Sequence, residues 1–487
     1  MSELQQTENK IVHKNTTEAT SFVIFGITGD LSRKKLIPAL WRLYEKGYLP
    51  KHFHIVGFSR RPITQDELRA FITQSLENKF ALNDKESFEK FLSRCSYVQG
   101  NFNEPEGYTK LREKLEENDQ ASGICGNKLF HLSVPPHYYG NIFDELHRSG
   151  LAETSGDKAC GWTRILVEKP FGNDWDTAFK LDQKLSLLFK EEQIFRVDHY
   201  LGKEPIQDIL TFRFANSLFE NLWDKHSIEK VQLRLWEDIG VEGRGAFYDG
   251  VGTLRDVGQN HLLQMFALIA MEHPESFTAD AIRTEREKIL SSLRHIKLQE
   301  MHDSIRRGQY EGFLSEPGVA ENSQTETYFR IKALVESERW EGVPFYFESG
   351  KRMPEAKTEI QIFFHKKKSA LFPESQNNQG QNVLTFRIQP NDSISLSFFT
   401  RQSGFDKPLV QKDLSFQYHP IGETETPPDA YERVIFDCIA GDQTIFTSTK
   451  EVLASWEFIT PILLGWTNIA LETYDSGVFP SILSRNY

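Results

Sequence analysis

Positions 196–204 read Arg-Val-Asp-His-Tyr-Leu-Gly-Lys-Glu, which sets an acid (Asp198), an imidazole (His199), a phenol (Tyr200) and an amine (Lys203) almost side by side. A strand-like stretch at 193–197 leads into them, and strand ends are where an open α/β sheet presents its chemistry. His199 and Lys203 are donors suited to an anion, and a carboxylate beside them can orient a base and support its charge. Read in isolation, the same run is also a solvated charged turn. On extended backbone Asp198 and His199 would point to opposite sides, so each would serve a different partner.

Three other segments carry polar groups at comparable positions. Glu168-Lys169-Pro170-Phe171-Gly172 ends the fifth strand-like run. A lysine there can meet a substrate hydroxyl or the reactive end of a coenzyme. Asp249-Gly250-Val251-Gly252-Thr253-Leu254-Arg255-Asp256-Val257-Gly258-Gln259-Asn260-His261 runs into an apolar helical stretch. His261 at its mouth is either a satisfied core histidine or a base; with an ordinary pKa of ~6.5, imidazole can take a hydroxyl proton at neutral pH. Gly350-Lys351-Arg352-Met353-Pro354-Glu355-Ala356-Lys357 concentrates charge suited to a phosphate or to sugar hydroxyls, with a solvated turn as the plain alternative.

The elements that must hold these groups fall into two patterns. Up to about residue 200, short apolar runs (21–25, 53–58, 96–99, 128–132, 164–167 and 193–197) alternate with helical stretches such as 31–45, 66–80 and 174–189. That alternation predicts a doubly wound parallel sheet of Rossmann type. Beyond it, alternating strands at 230–236, 328–335, 359–364, 384–388 and 393–399 predict a large, mainly antiparallel sheet with one packed face and one wetter face. Helical patterns at 261–271, 281–293 and 450–464 make this second part α+β. The expected division is a disordered tail at 1–20, a Rossmann-type domain at 21–198 and an α+β domain at 199–487. Residues 369–381, rich in Asn, Gln, Ser and Gly, read as a surface loop.

Composition narrows the function. At 487 residues the chain is long enough for several cores, and a net charge of −12 argues against a non-specific nucleic-acid binder. An acidic protein that takes an anionic substrate must gather its positive charge locally. Four cysteines without paired spacing suggest neither a disulfide framework nor a zinc site, so a reducing cytoplasm is expected, with no metal. No apolar run is long enough for a membrane span, and the polar N-terminus is not a secretory signal.

The first strand runs into Gly26-Ile27-Thr28-Gly29-Asp30-Leu31. Glycines between a strand and a helix let the backbone approach a phosphate at the helix N-terminus. The spacing is GxxGDL, which taken bare is also an ordinary strand-to-helix turn. The second strand ends at Gly57-Phe58-Ser59-Arg60-Arg61. An acid at that point suits the ribose 2′-hydroxyl of NAD, whereas Arg60 suits a 2′-phosphate, so NADP is the expected coenzyme.

These segments together resemble the glucose-6-phosphate dehydrogenase family. The resemblance rests on the motifs at 26–31, 168–172 and 196–204, on Glu242-Gly243-Arg244-Gly245, and on the run 255–261. Arg339-Trp340-Glu341-Gly342-Val343-Pro344 and Asp429-Ala430-Tyr431-Glu432-Arg433 add to it. The motifs follow the family's order across residues 21–466. The resemblance implies oxidation of glucose 6-phosphate at C1 to the 6-phosphogluconolactone with reduction of NADP, the first step of the oxidative pentose phosphate pathway. It implies His261 as general base, with Asp198 supporting its charge. His199, Tyr200 and Lys203 would hold the substrate phosphate, and Glu237, Asp256 and Lys351 the sugar hydroxyls. Lys169 would meet both substrate and coenzyme, ahead of a cis Pro170. Gly26, Thr28, Gly29, Asp30, Leu31 and Arg60 would meet the coenzyme, with Tyr139, after Pro135-Pro136, as a further contact.

A homodimer or homotetramer through the large sheet is implied as well. Ala356 departs from the pattern, because many members carry there a basic residue that contacts the phosphate; Lys357 follows it. Two competing readings are a sugar dehydrogenase of the glucose-fructose oxidoreductase type, which lacks the Asp-His-Tyr-Leu-Gly-Lys run, and an inactive NADP-sensing regulator, which would need a degraded site.

Overall fold

A computed structural model describes residues 19–152, 161–366, 381–405, 409–419 and 427–479. The expected tail at 1–20 lies outside them except for Ala19 and Thr20, which open the first strand. The loop expected at 369–381 also lies outside them, apart from Gln381.

The chain folds as two compact units. The first takes residues up to Gly172, Asp176–Gly202 and Pro428–Thr449; the second takes Asn173–Trp175, Lys203–Pro427 and the chain from Lys450 on. These units differ from the single boundary expected at 198/199 in three places, at 173–175, 199–202 and 428–449. Trp175 donates its amide to the Thr460 hydroxyl (3.0 Å) and the Asn173 carbonyl accepts from Arg255 (3.1 Å), tying that short segment to the second unit. Residues 428–449 return to the first unit because a late strand completes its sheet.

Strands β1 (Ala19–Phe25), β2 (His52–Ser59), β3 (Cys95–Gln99), β4 (Asn127–Leu132), β5 (Thr163–Glu168) and β6 (Ile194–Val197) belong to the first unit. The second holds β7 (Ile228–Trp236), β8 (Ile305–Tyr310), β9 (Tyr328–Ala333), β10 (Phe345–Gly350), β11 (Lys357–Phe364), β12 (Val383–Gln389), β13 (Ser393–Arg401) and β14 (Leu409–Gln417). Then come β15 (Phe446–Thr447), in the first unit, and β16 (Leu471–Tyr474), in the second.

The first sheet runs β15-β6-β5-β4-β1-β2-β3, parallel throughout except for β15. Strand order reverses between β1 and β4, the switch point at which such sheets open a crevice beyond their C-terminal ends. Its strands are buried because aromatic rings pack over them. Phe25 lies 5.0 Å from Phe58 and Phe58 lies 5.3 Å from Tyr108, between ring centres. Trp41, on helix α1 (Ile37–Glu45), meets Phe91 edge-on at 5.2 Å.

The second sheet runs β14-β13-β12-β11-β7-β10-β9-β8-β16, antiparallel except where β7 meets β10 and β8 meets β16. The expected alternation of packed and wetter positions shows on β9 and β12, whereas every residue of β10 is buried. A ladder of charges runs across them. Arg234 meets Glu348 at 3.3 Å and Glu359 at 3.4 Å, and Arg387 meets Glu359 at 2.8 Å. These residues stand directly opposite one another in register, so neighbouring signs alternate. Among the described strands only the outer one, β14, is largely exposed.

Cys95 and Cys438 are free and buried, whereas Cys125 is disulfide-bonded, which corrects the expectation of an unpaired set. Bridging depends on Cα separations that spacing along a sequence does not disclose.

Candidate active site

In the first unit the predicted coenzyme and phosphate residues all follow strand C-termini. Gly26 closes β1 with φ +82°, and a Cβ there would stand 2.2 Å from the Ser133 carbonyl, so only glycine fits. Its carbonyl accepts from the Gly29 amide (2.9 Å) and the Ser32 hydroxyl (3.1 Å). Helical backbone starts at Asp30, with a π-helical stretch over Ser32–Leu36, so a helix N-terminus with its unbonded amides abuts this loop. Thr28 and Gly29 are half-buried; Asp30 is exposed and pairs with Lys34 (3.2 Å). Arg60, just past β2, is exposed. Its guanidinium lies 5.4 Å over the Tyr138 ring and donates to the Tyr138 hydroxyl (2.9 Å).

β5 ends on Glu168, whose carboxylate meets His131 Nε2 at 2.9 Å and accepts from the Tyr431 hydroxyl at 3.3 Å. Tyr139 is buried, and its hydroxyl donates to the Glu168 carbonyl (2.9 Å), so its polar end supports the turn that carries Lys169. Burial, then the Glu168 charge, pushes both phenols well above their ordinary range, keeping them protonated donors. The Lys169–Pro170 peptide is cis.

Asp198 and His199 are not on extended backbone: β6 stops at Val197 and a turn follows. Asp198 is buried, and its Oδ1 accepts from the Tyr200 amide (3.0 Å) while its carbonyl accepts from Leu201 (3.0 Å). An aspartate that folds its own backbone in this way fixes the turn. The His199 ring stacks on Tyr431 at 6.1 Å and 14°, and lies 5.0 Å from Tyr200.

In the second unit Lys203 precedes helix α2 (Glu204–Ala215). Its ammonium is held by the Gln389 side-chain carbonyl, at the end of β12 and just ahead of a cis Pro390. Asp392 lies in the same turn. Burial raises its pKa, while the Lys203 and His419 charges pull it down. Glu237 and Lys351 follow the parallel neighbours β7 and β10, and the Glu237 amide donates to the Gly350 carbonyl (2.9 Å). The Lys351 ammonium meets Glu237 at 2.5 Å and lies 5.2 Å over the Tyr248 ring. Lys351 is only 1% exposed, so its charge is fixed in position.

Asp256 lies in a helix, not in a lead-in to one, and His261 is inside that helix, not at its mouth. A π-helical stretch spans Leu254–Leu262 and continues into α3 (Leu263–Ala270). This helix packs on the sheet at Gly258, where a Cβ would sit 2.8 Å from the Phe329 ring, and through Phe266, 4.9 Å from Phe345. His261 is buried and its amide donates to Asn260 Oδ1 (2.7 Å). Asp256 is half-buried. Its charge, after burial itself, raises the Tyr248 phenol, whose oxygen is 2.5 Å from the Thr253 hydroxyl.

The structure thus groups Glu237, Lys351 and Asp256 around Tyr248 in one unit, and Lys169 and Asp198–Tyr200 at adjacent strand ends in the other. Lys357 is engaged elsewhere, paired with Glu355 and 5.2 Å over Trp236. Sequence reading gave no role to Tyr431, Gln389, Tyr248 or His131. The one available signal was for Gln389, since Gln-Pro-Asn-Asp between two alternating runs marks a turn.

Comparison with known proteins divides the chain once, near residue 209, and leaves 428–449 with the second half. A family described as glucose-6-phosphate dehydrogenase, NAD binding domain, matches residues 23–208, and its C-terminal domain counterpart matches 210–481. The glucose-6-phosphate 1-dehydrogenase of Chlamydia muridarum is 41% identical over 92% of this chain and 90% of its own. Glucose-6-phosphate 1-dehydrogenase 5, cytoplasmic, of Arabidopsis thaliana is 39% identical over 92% of this chain and 86% of its own. A solved glucose-6-phosphate dehydrogenase in complex with its substrate glucose-6-phosphate superimposes with a TM-score of 0.89 at 34% identity, covering 96% of this chain and 97% of that one. With both halves matched, and shared identity across nearly the whole length, the chain belongs to the glucose-6-phosphate dehydrogenase family.

Proposed function

We propose that this chain oxidises glucose 6-phosphate at C1 to 6-phosphoglucono-1,5-lactone with NADP as acceptor, opening the oxidative pentose phosphate pathway. The observation that carries the reading is the turn at 198–203: a chain of net charge −12 gathers an imidazole, a phenol and an ammonium there, at a strand end. A dianionic phosphate is the ligand such a set serves, and a non-phosphorylated sugar has no use for it.

His261 takes the C1-hydroxyl proton as hydride leaves C1, and Asp198 supports the resulting imidazolium. His199, Tyr200 and Lys203 grip the phosphate. Glu237, Asp256 and Lys351 orient the sugar through its hydroxyls, and Lys169 serves both ligands. A bound nicotinamide dinucleotide supplies the hydride acceptor. The Gly26–Leu31 loop fits its pyrophosphate, because a tight glycine turn packed on the Ser133 carbonyl abuts a helix N-terminus, and the exposed fork of Arg60 fits a 2′-phosphate. A cytoplasmic location agrees with the Arabidopsis relative's printed name; no helix of the described residues is long and apolar enough to cross a membrane. A homodimer or homotetramer through the large sheet is supported by exposed Leu414 and Phe416 on β14.

The test is NADPH formation with glucose 6-phosphate, set against free glucose and against NAD. Turnover only with the phosphorylated sugar and faster with NADP is expected. Folded protein that binds NADP yet does not turn over the phosphorylated sugar overturns the proposal.

A further inference from the structure

Glu326 is a buried carboxylate to which the reaction above gives no role. It is 2% exposed, and burial raises its pKa. One oxygen accepts the Leu254 amide at 2.9 Å and the other accepts the Trp466 indole N–H at 3.0 Å. Leu254 is the first residue of the π-helical stretch that carries Asp256 and His261. The two helical residues before it are shaped around the same carboxylate. Gly252 has φ +76°, and a Cβ there would lie 2.3 Å from Glu326 Oε1. The Thr253 amide donates to the Glu326 carbonyl (3.2 Å).

The neighbours of Glu326 fix other parts of the site. Thr325 Oγ1 accepts the Gly250 amide (2.8 Å), and the Thr327 carbonyl accepts the Lys351 amide (2.9 Å). Residues 325–327 therefore hold both the start of the helix and the lysine that faces Glu237.

We infer that Glu326 is a positioning residue for the proposed oxidation, which sets where the helix begins and so where Asp256 and His261 stand. A carboxylate suits the task because two N–H donors approach it and an amide would offer only one oxygen. Both oxygens meet their donors only at the reach of a glutamate, so withdrawing both costs more than replacing one. The inference rests on His261 being the base.

The experiment compares Glu326→Gln, Glu326→Asp and Glu326→Ala, and Glu326→Gln combined with Trp466→Phe. It measures kcat/KM for glucose 6-phosphate, KM for NADP, the acid limb of the kcat/KM pH profile, and thermal melting as a folding control. Glu326→Asp withdraws both oxygens and is expected to lower kcat/KM tenfold or more, with KM for NADP within twofold; Glu326→Ala does the same. Glu326→Gln keeps the Leu254 bond and loses less, and adding Trp466→Phe removes the donor facing its amino group and restores most of the loss. The acid limb shifts in the Asp and Ala forms. A near-normal Asp form beside a damaged Gln form overturns the inference in favour of a charge effect. Lowered melting temperatures with kcat/KM and the acid limb unchanged overturn it in favour of a structural role. If Glu326→Ala does not fold, the Asp and Gln pair decides. His261→Asn, run alongside, separates the two ideas: if it keeps its kcat, the base assignment fails, whatever the Glu326 variants do.

Discussion

Replacing Lys203 by Met removes one cation from the proposed phosphate grip while keeping much of the side chain's bulk. Hydrogen bonds to charged groups contribute about 1.5–3 kcal/mol. At roughly 1.4 kcal/mol per decade, that is a ~10–150-fold rise in KM for glucose 6-phosphate. The phosphate does not react, so most of the loss should appear in KM, with kcat changed far less. Gln389 acts one step back, by holding the Lys203 ammonium at the end of β12. Gln389→Leu leaves the charge but loosens its aim; the lost bond is also to a charged group, so its about 1.5–3 kcal/mol sets an upper bound of a ~10–150-fold rise.

The two effects should not add. Once Lys203 is Met there is nothing for Gln389 to hold, so the double variant should match Lys203→Met alone, a coupling that a double-mutant cycle measures. The assay is initial-rate NADPH formation across glucose 6-phosphate concentrations, repeated with free glucose. Free glucose has no phosphate, so its kcat/KM should stay within about threefold in all three variants, and the preference for the phosphorylated sugar should fall by the same factor as KM rises. Equal losses with both sugars would refute a phosphate role for Lys203. Additive single effects would refute the positioning role of Gln389.

His261→Asn should cost kcat at least 10²–10⁴, the usual contribution of general-base catalysis, with KM for the sugar largely kept; near-normal kcat rules the base assignment out. Arg60→Ala should raise KM for NADP far more than for NAD, and equal shifts would remove the 2′-phosphate role. Burial opposes ionisation of Asp249, but hydrogen bonds from Ser323, the Ala320 amide, Thr325 and the Gly250 amide outweigh it and hold the pKa below its ordinary 3.8. A depressed carboxylate stabilises the fold above the unfolded pKa and loses that contribution as pH falls through the folded one. Asp249→Asn should therefore lower the urea midpoint at pH 7, and the gap from the parent should narrow at pH 3; a gap that widens on acidification would contradict the sign.

What the sequence disclosed depended on how local the determinant was. The parallel sheet was legible because each buried strand is a short apolar run set off by a helical pattern, and because glycines and Arg60 stand directly at strand ends. The second sheet was partly legible. β7, β9, β11, β12 and β13 alternate clearly, but β8, β14 and β16 were missed, the last only four residues long and β14 polar and largely exposed. Helical backbone at 254–260 was read as a lead-in, because π-helical spacing has no 3.6-residue stripe to reveal it.

Candidate groups that carry their own reactivity, such as His261, Asp198 and Lys203, could be named from type and place alone. Residues that act through another could not. Tyr431 reaches the first sheet from the far end of the chain to stack on His199, and Gln389 reaches Lys203 from 186 positions away. Nothing in a glutamine or a tyrosine announces such a partner, since the pairing is made by tertiary packing and not by spacing. Glu326 belongs with them: as a letter it is one more acid in an acidic chain, and it acquires a role only once Leu254, Trp466 and Gly252 are folded around it.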